Sequence, residues 1–568
     1  MTDANGRDAM PGIVRTNVNR RLFMAGSVTA GLAACVAPPP AGPAGEPIVE
    51  TASGKVQGYL EEGVKVFKGI PYGASTAGQG RFRAPKPPQP WAGVKQTIAY
   101  GPPSPQGRPA SMPAPPPPPP GSPPPLINNS PTGAQSEDCL VLNVWSKDLT
   151  GRKPVMVWLH GGGFSTGAGS SAWYDGVRMA TKQDVVVVTI NHRLNVFGYL
   201  YLDDISKGAY ADSATAGMLD CVLALQWVKQ NIERFGGDPN RVLIFGESGG
   251  ARKTSSMMAI VPAQGLFHRA VAQSGSQLRL DSKAVANERT LKLLRELNIS
   301  EKELHKLHDI PMDALLTASP LAQQGTGQFR PVAGTAAIPA HPFDPGAPAM
   351  SANVPMMAGS NRTEASVFLG PDPRVINLDE AGLQQRVQAL VPAGEGPGVV
   401  DMYRRIYPKA GLQEILYMTS TDRGYFLDTT ILGERKAAQN RAPAYVYQFY
   451  RSTPVQGGRY FTPHASEIPF VFDTLRYGTS IGGEPTASAQ DLSGIMSEAW
   501  CNFARTGDPN GGDVPAWPKY DGANRPTMVF DEKSAGGSRV ENDPRSEQRK
   551  RMLGYGSQQY GEREAGPA

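Results

Sequence analysis

Apolar residues gather in short unbroken runs that alternate with a stretch of helical spacing. Val155-Met156-Val157-Trp158-Leu159, Val185 through Ile190, and Val242-Leu243-Ile244-Phe245 are nearly free of polar side chains and have strand length. This is the pattern of strands covered on both faces. Between the second and third runs, Met218, Val222, Leu225, Val228, Ile232 and Phe235 recur at intervals of three and four residues, which predicts a helix over 218–235 packed on the sheet. Alternation of this kind implies an α/β architecture, a mostly parallel twisted sheet flanked by helices. No internal repeat of solenoid period interrupts it.

Low-complexity segments punctuate the pattern. Residues 36–47 are almost entirely Pro, Ala and Gly and read as a tether, so the fold should begin near Ile48. Residues 101–135 hold the run Pro115 to Pro120, which cannot supply the donors of a sheet or helix interior. The segment is expected to be an exposed polyproline-like insertion, either a lid at a pocket mouth or a tolerated surface loop. After Gln548 the chain is charged and polar, and 549–568 is expected to be a disordered tail. One large domain over 48–548 is the organisation that results.

With 40% hydrophobic and 19% charged residues, the 568-residue chain can build a sizeable core. Its formal charge of +5 is small and draws in part on Arg15, Arg20 and Arg21, which argues against a nucleic-acid partner. Those arginines belong to a leader. Asn19-Arg20-Arg21-Leu22-Phe23-Met24 and the Ala/Gly-rich stretch after it resemble a twin-arginine export signal and are too short and weakly apolar for a membrane span of roughly 20 residues. The leader, residues 1–35, ends in Leu32-Ala33-Ala34-Cys35, a lipoprotein-like cleavage box that would make Cys35 the acylated residue and a membrane anchor; in a plain signal peptide Cys35 is incidental. A periplasmic or extracellular protein is expected either way. Cys139, Cys221 and Cys501 remain, an odd set that leaves at least one thiol free. No Cys/His cluster suggests a metal, and no cofactor motif is present.

Candidate chemistry starts at Ser248. The third apolar run leads straight into Gly246-Glu247-Ser248-Gly249-Gly250, the small-residue elbow that a tight strand-to-helix turn needs if a serine Oγ is to be pushed toward substrate. His160-Gly161-Gly162-Gly163-Phe164 follows the first run. Consecutive glycines there leave backbone N–H groups unobstructed for a developing oxyanion.

These motifs, with Ser136 through Trp145, Asn191 through Gly198 and Phe235 through Asn240, resemble the type-B carboxylesterase family, which includes bacterial carboxylesterases and cholinesterases, over about residues 48–530. The resemblance implies an α/β-hydrolase fold and a carboxylic ester hydrolase working through an acyl-enzyme on a small-molecule ester. It also implies site residues. Ser248 would be the nucleophile, and the N–H groups of Gly162, Gly163 and Gly249 the oxyanion hole. Gly359 through Glu364 fits the family's acid segment, with Thr363 and Ala365 in place of its usual Asp and Gly and with Phe368 downstream. Glu364 is therefore the expected acid. Of the histidines after Ser248, His268 follows the elbow too soon, His305 and His308 sit in a charged helical stretch, and His341 precedes the acid. His464, in His464-Ala465-Ser466-Glu467-Ile468-Pro469-Phe470-Val471-Phe472, resembles the family's histidine segment and completes the order Ser, Glu, His. Glu467 would support that loop or be an exposed charge. His160 would pack beneath the glycine turn, and Arg193 and Asp238 would fix loops.

Departures from the family carry expectations too. Ser104 stands where the disulfide partner of Cys139 would be, so that loop should be unstapled. No aromatic residue lies between Gly101 and Gln135, which disfavours a choline ester, since the cation–π partner is missing. Gly249 replaces a common Ala and should leave the oxyanion loop roomier, suited to crowded esters. Two rival readings stay open: the same triad cleaving an amide or thioester, and a binding protein on the same fold. Natural substrate and oligomeric state are not encoded in any motif.

Overall fold

Seven parallel strands form the middle of an eleven-stranded sheet among the described residues of the computed structural model, which are 46–108, 124–127 and 133–560. The leader with Cys35, the tether to residue 45, Pro115 to Pro120 and residues 561–568 lie outside them. Across the sheet the order is Arg539–Asn542, Pro526–Phe530, Ala444–Phe449, Met356–Asn361, Arg269–Gln273, Gly237–Glu247, Lys153–Leu159, Val186–Ile190, Val141–Ser146, Val64–Pro71 and Tyr59–Glu61. Antiparallel pairing is confined to the two flanks. A separate three-stranded sheet joins Ile48–Thr51, Gly54–Gln57 and Val94–Gln96.

The apolar runs lie in the central strands because both faces are buried. Val155, Val157, Leu159, Val242 and Ile244 enter one core, while Met156, Trp158, Leu243 and Phe245 enter the other. Trp158 packs between Tyr174, Phe245 and Phe472 with ring centroids 4.8–5.0 Å apart. A strand with one wet face would alternate; these cannot. The crossover helix spans Ala216–Asn231 and then tightens into a 3-10 turn, Ile232–Phe235, so the helical spacing was right and the last turn is wound more closely.

Buried ion pairs anchor the family-like loops. The Arg193 side chain meets Asp220 through two contacts, Nε to Oδ2 at 2.9 Å and Nη2 to Oδ1 at 2.6 Å, its backbone N–H adds a third at 2.9 Å, and both residues are essentially sealed from water. Arg81 holds Glu137 in the same bidentate way, at 2.7 and 2.5 Å. Nearer the surface, Asp238 is held by exposed Arg152 and half-buried Arg241, whereas the first two pairs are sealed. Breaking a buried pair of this kind strands a charge, which makes the loops around it costly to rearrange.

Two sequence expectations do not hold for every described residue. The start of the proline-rich segment is not exposed: Pro103, Ser104, Pro105 and Gln106 are buried, with Asn195 Nδ2 donating to Pro105 O and Gln106 bonded to Gly167 in both directions. Proline lacks a donor but its carbonyl still accepts, so it can pack where neighbouring side chains donate. Residues 549–560, the described part of the expected tail, are also part of the fold. Ser546–Gly554 is a helix, Arg549 pairs with Asp543, and the Gln559 amide binds Ser276 O, Asp428 and the backbone of Leu278 and Arg279. The partner of Arg549 is thus nearby in the chain, whereas Arg551 pairs with distant Glu395.

Cys139, Cys221 and Cys501 are free, buried thiols, and Ser104 lies against Cys139. No helix among the described residues is long and apolar enough to cross a membrane.

Candidate active site

Four functional segments emerge at the carboxyl ends of neighbouring parallel strands, where open α/β sheets gather their sites. The strand Gly237–Glu247 stops at Ser248, and the helix Gly249–Met257 starts at once. Ser248 adopts φ 55°, ψ −118°, a conformation unfavourable for any residue with a Cβ and held only by its surroundings. Those surroundings are explicit. Ser248 N donates to Gln273 O at 2.8 Å, and Gly250 lets the Leu159 carbonyl approach so closely that a Cβ there would lie 1.8 Å from its oxygen.

The glycine turn after Leu159 packs directly on this elbow. Gly162 and Gly163 have φ of +84° and +64°, conformations that side chains rarely tolerate. A Cβ built on Gly161 would lie 3.5 Å from Ser248 Cβ, and one on Gly249 only 2.1 Å from Gly163 O. Glycine at 249 therefore does not leave the loop roomier, as the sequence suggested. The Gly163 backbone has moved into the space an alanine methyl would need. Lys253, wholly buried one turn along the helix, donates to Gly163 O at 2.9 Å and His160 O at 3.1 Å and ties the turn from beneath. Burial pulls its pKa down to about 7.

His160 stacks on His192 with ring centroids 4.6 Å apart and places Nδ1 2.9 Å from Gly161 O. Burial, reinforced by Lys253, lowers its pKa to about 3, so the ring is a neutral packing group. Gln328 closes the other side of the turn, accepting from Ser165 Oγ at 3.1 Å and Phe164 N at 3.4 Å. Beside Gly161, Gly162 and Thr166 a cavity of about 360 Å³ reaches Gln106 and Tyr174.

His464 and Glu364 meet across a hundred residues of chain. Glu364 Oε2 lies 2.6 Å from His464 Nδ1, while Glu364 Oε1 accepts from Asn361 N at 2.6 Å. The two loops are laced together. Asn361 Nδ2 donates to Pro463 O and to Glu467 Oε2, at 2.9 and 2.8 Å, and Thr363 Oγ1 accepts from Thr462 N at 2.8 Å. Thr363, which departs from the family's Asp, thus serves as a bridge between the loops. Phe461 and Ala465, flanking His464, have φ of 54° and 68°. The imidazole lies between Phe368 and Tyr425, each ring centroid 5.1 Å away.

Glu467 is fully buried, which settles the choice against an exposed charge; Gln273 Nε2 also donates to it, at 3.3 Å. A third carboxylate joins the cluster, and no sequence motif singled it out. Glu247 Oε1 is 3.1 Å from His464 Nε2, but off the line of a ring N–H, so neither atom has a hydrogen-bond partner. Burial opposes charging His464, yet Glu247, then Tyr425 and Glu364, outweigh it and hold its pKa well above the usual histidine range. Burial pushes Glu247 well above the usual carboxylate range and, with Glu364, brings Glu467 to about 7.

Of the residues singled out in the sequence, the structure brings Glu364 to His464 and packs Gly163 on Gly249 beside the Ser248 elbow. No hydrogen bond joins Ser248 Oγ to His464 among the described residues; Glu247, the residue before the serine, faces the ring instead. Glu247, Lys253 and Gln328 escaped the sequence reading. The signal available was a charge closing a fully apolar strand and another on a buried helix. No cluster of three or more potential metal ligands occurs among the described residues.

Comparison with known proteins bears on the same region. Residues 45–551 match the model of the carboxylesterase family. The chain is 34% identical to para-nitrobenzyl esterase of Bacillus subtilis over 516 residues, 89% of this chain and 98% of the relative. It is 33% identical to liver carboxylesterase of Sus scrofa, over 84% of this chain and 88% of that one. A solved Geobacillus stearothermophilus carboxylesterase superposes with a TM-score of 0.74 at 35% identity, covering 89% of this chain and 99% of its own.

Proposed function

The chain belongs to the carboxylesterase family and is a serine carboxylesterase of α/β-hydrolase fold, and from that premise we propose that Ser248, His464 and Glu364 perform its ester hydrolysis. One observation carries the reading: the 2.6 Å contact between Glu364 and His464, whose ring lies 3.1 Å from the carboxylate of the residue preceding the strained Ser248. His464 Nε2 takes the Ser248 proton as Oγ attacks the ester carbonyl, and Glu364 fixes the tautomer and steadies the imidazolium. Gly162, Gly163 and Gly249 N–H groups receive the oxyanion, each such donor contributing about 3 kcal/mol to the transition state. His464 then protonates the departing alcohol. Water activated by the same ring releases the acid and restores Ser248. The Ser248–His464 hydrogen bond forms as substrate fills the site, since such bonds are commonly loose in free enzymes.

Glu467 supports the His464 loop through Asn361 and Gln273. Lys253 positions the oxyanion turn by its grip on the Gly163 and His160 carbonyls. An aryl organophosphonate should add one phosphonyl group to the peptide containing Ser248, with parallel loss of esterase activity; modification of another residue, or inactivation without modification of Ser248, would reject the assignment.

The charge cluster implies a pH dependence. His464 must be neutral to act as base, and its pKa is raised, so kcat/KM for an uncharged nitrophenyl ester should climb with pH through a value above the usual 6.5 of histidine. Glu247→Gln removes the strongest of the carboxylate fields on the ring and should move that acid limb to lower pH. A limb that stays in place in the variant would show that Glu247 does not act on His464.

We also propose that residues 1–35 export the enzyme and that Cys35 anchors it to a membrane by a lipid. Support comes from the paired arginines and the Leu32-Ala33-Ala34-Cys35 box. In a bacterial host with the twin-arginine pathway, Arg20→Lys with Arg21→Lys should retain activity in the cytoplasmic fraction, and Cys35→Ser should shift exported activity from membrane to soluble fractions. Unchanged fractionation in either variant counts against the corresponding half of the proposal.

A further inference from the structure

Behind the oxyanion turn, on the side of Gln328, lies a cavity of about 260 Å³ that ester cleavage itself does not require. Arg252, Arg279, Arg330 and His341 line it, with Asp281 as the one carboxylate among the lining residues. That acid is already held, by Arg289 at 2.7 Å and by Arg330. Next to the cavity, Asp344 is shared in the same way by Arg279 and Arg435, at 3.5 and 3.3 Å. Arg252 makes no side-chain hydrogen bond or ion pair with a described residue, although its field reaches the buried Asp428 behind Gln559.

The cavity is joined to the reacting centre by two links. Gln328 lines it and also accepts from Ser165 and Phe164 of the oxyanion turn, with Oε1 only 2.9 Å from where a Gly163 Cβ would be. Arg252 lines it and also donates its backbone N–H to Ser248 O at 3.0 Å. Concave, poorly solvated walls concentrate the potential of the charges they carry. A guanidinium fork pairs with a carboxylate through two parallel hydrogen bonds. The volume suits a short carboxylated chain rather than a whole substrate.

We propose that this cavity is a subsite for a carboxylate carried by the substrate a few carbons from the scissile ester, so that the enzyme prefers esters of half-ionised dicarboxylic acids or of carboxylated alcohols. The inference rests on the Ser248 reading and adds the substrate class. Arg252 is the principal anchor, with Arg279 and Arg330, each already sharing a carboxylate, adding guanidinium groups around it.

The test compares matched pairs of esters. One pair is 4-nitrophenyl hydrogen adipate and its methyl-capped diester, which puts the carboxylate on the acyl side; the other is 4-carboxyphenyl butyrate and phenyl butyrate, which puts it on the alcohol side. In one pair kcat/KM should favour the acid by about tenfold or more at low salt, the scale of a charge-assisted hydrogen bond, and the preference should fade as salt is added. Arg252→Gln should collapse the acid-to-neutral ratio by about the same factor, and Arg252→Lys should restore part of it. Turnover of neutral esters with no preference for the acid in either pair, or a ratio unmoved by Arg252→Gln, overturns the subsite and leaves Ser248 chemistry standing. Loss of all turnover together with an unlabelled Ser248 would instead remove the catalytic reading and the subsite with it.

Discussion

Ser248→Ala should lower kcat for a simple nitrophenyl ester by about four to six orders of magnitude while the protein remains folded. Without Oγ no acyl-enzyme can form, and the residual rate would come from the oxyanion turn acting on water delivered by His464. The substitution shortens the side chain without altering the backbone that Gln273 and the Leu159 carbonyl hold in place. Circular dichroism and the thermal midpoint should therefore track the parent. A variant that kept more than about a hundredth of the parent kcat would mean that another nucleophile carries the reaction, because loss of a serine nucleophile typically costs several orders of magnitude more.

Glu364→Gln is the second large effect, and its origin is a matter of orientation. Asn361 N donates to Glu364 Oε1 at 2.6 Å, and Oε2 faces His464 Nδ1 at 2.6 Å. In the glutamine variant the Asn361 N–H captures the amide oxygen, which turns the NH₂ toward His464. Nδ1 must then accept, the ring proton moves to Nε2, and the atom meant to take the serine proton already has one. A fall in kcat of about ten-thousandfold is expected, as for other triads locked in the wrong tautomer. Binding of a neutral ester should change far less, so KM is the control. Equal losses in kcat and affinity, or a fall of less than about tenfold in kcat, would place Glu364 outside the proton path.

What the sequence made legible is the part written in local contrast. Val155 to Leu159 and Val242 to Phe245 are apolar on every side because both sheet faces are buried, and the glycines after them are needed because backbone passes backbone at contact distance. Those features bracket Ser248 and the oxyanion turn. Glu364 and His464 needed resemblance to a family, since nothing near either residue announces a partner a hundred positions away.

Other groups were illegible for the same reason in reverse. Glu247, Lys253 and Gln559 look like ordinary solvated side chains until the fold supplies His464, the Gly163 carbonyl and Asp428 to receive them. Composition alone therefore assigned the stretch after Gln548 to solvent, although Gln559 forms part of the wall of the Arg252 cavity. Gly249 was misjudged because the volume freed by a missing methyl is taken by main chain rather than left open.

The three thiols described in the fold bear on handling and on habitat alike. Cys139, Cys221 and Cys501 are buried, and burial holds each at about 12, so almost none of the reactive thiolate exists at neutral pH. With Ser104 where a bridging partner would stand, no cross-link has to be made before the catalytic domain is complete. Alkylating agents and reductants alike should leave these three thiols of the folded domain untouched, and among the described residues the domain can mature in a reducing compartment or an oxidising one with no disulfide to form.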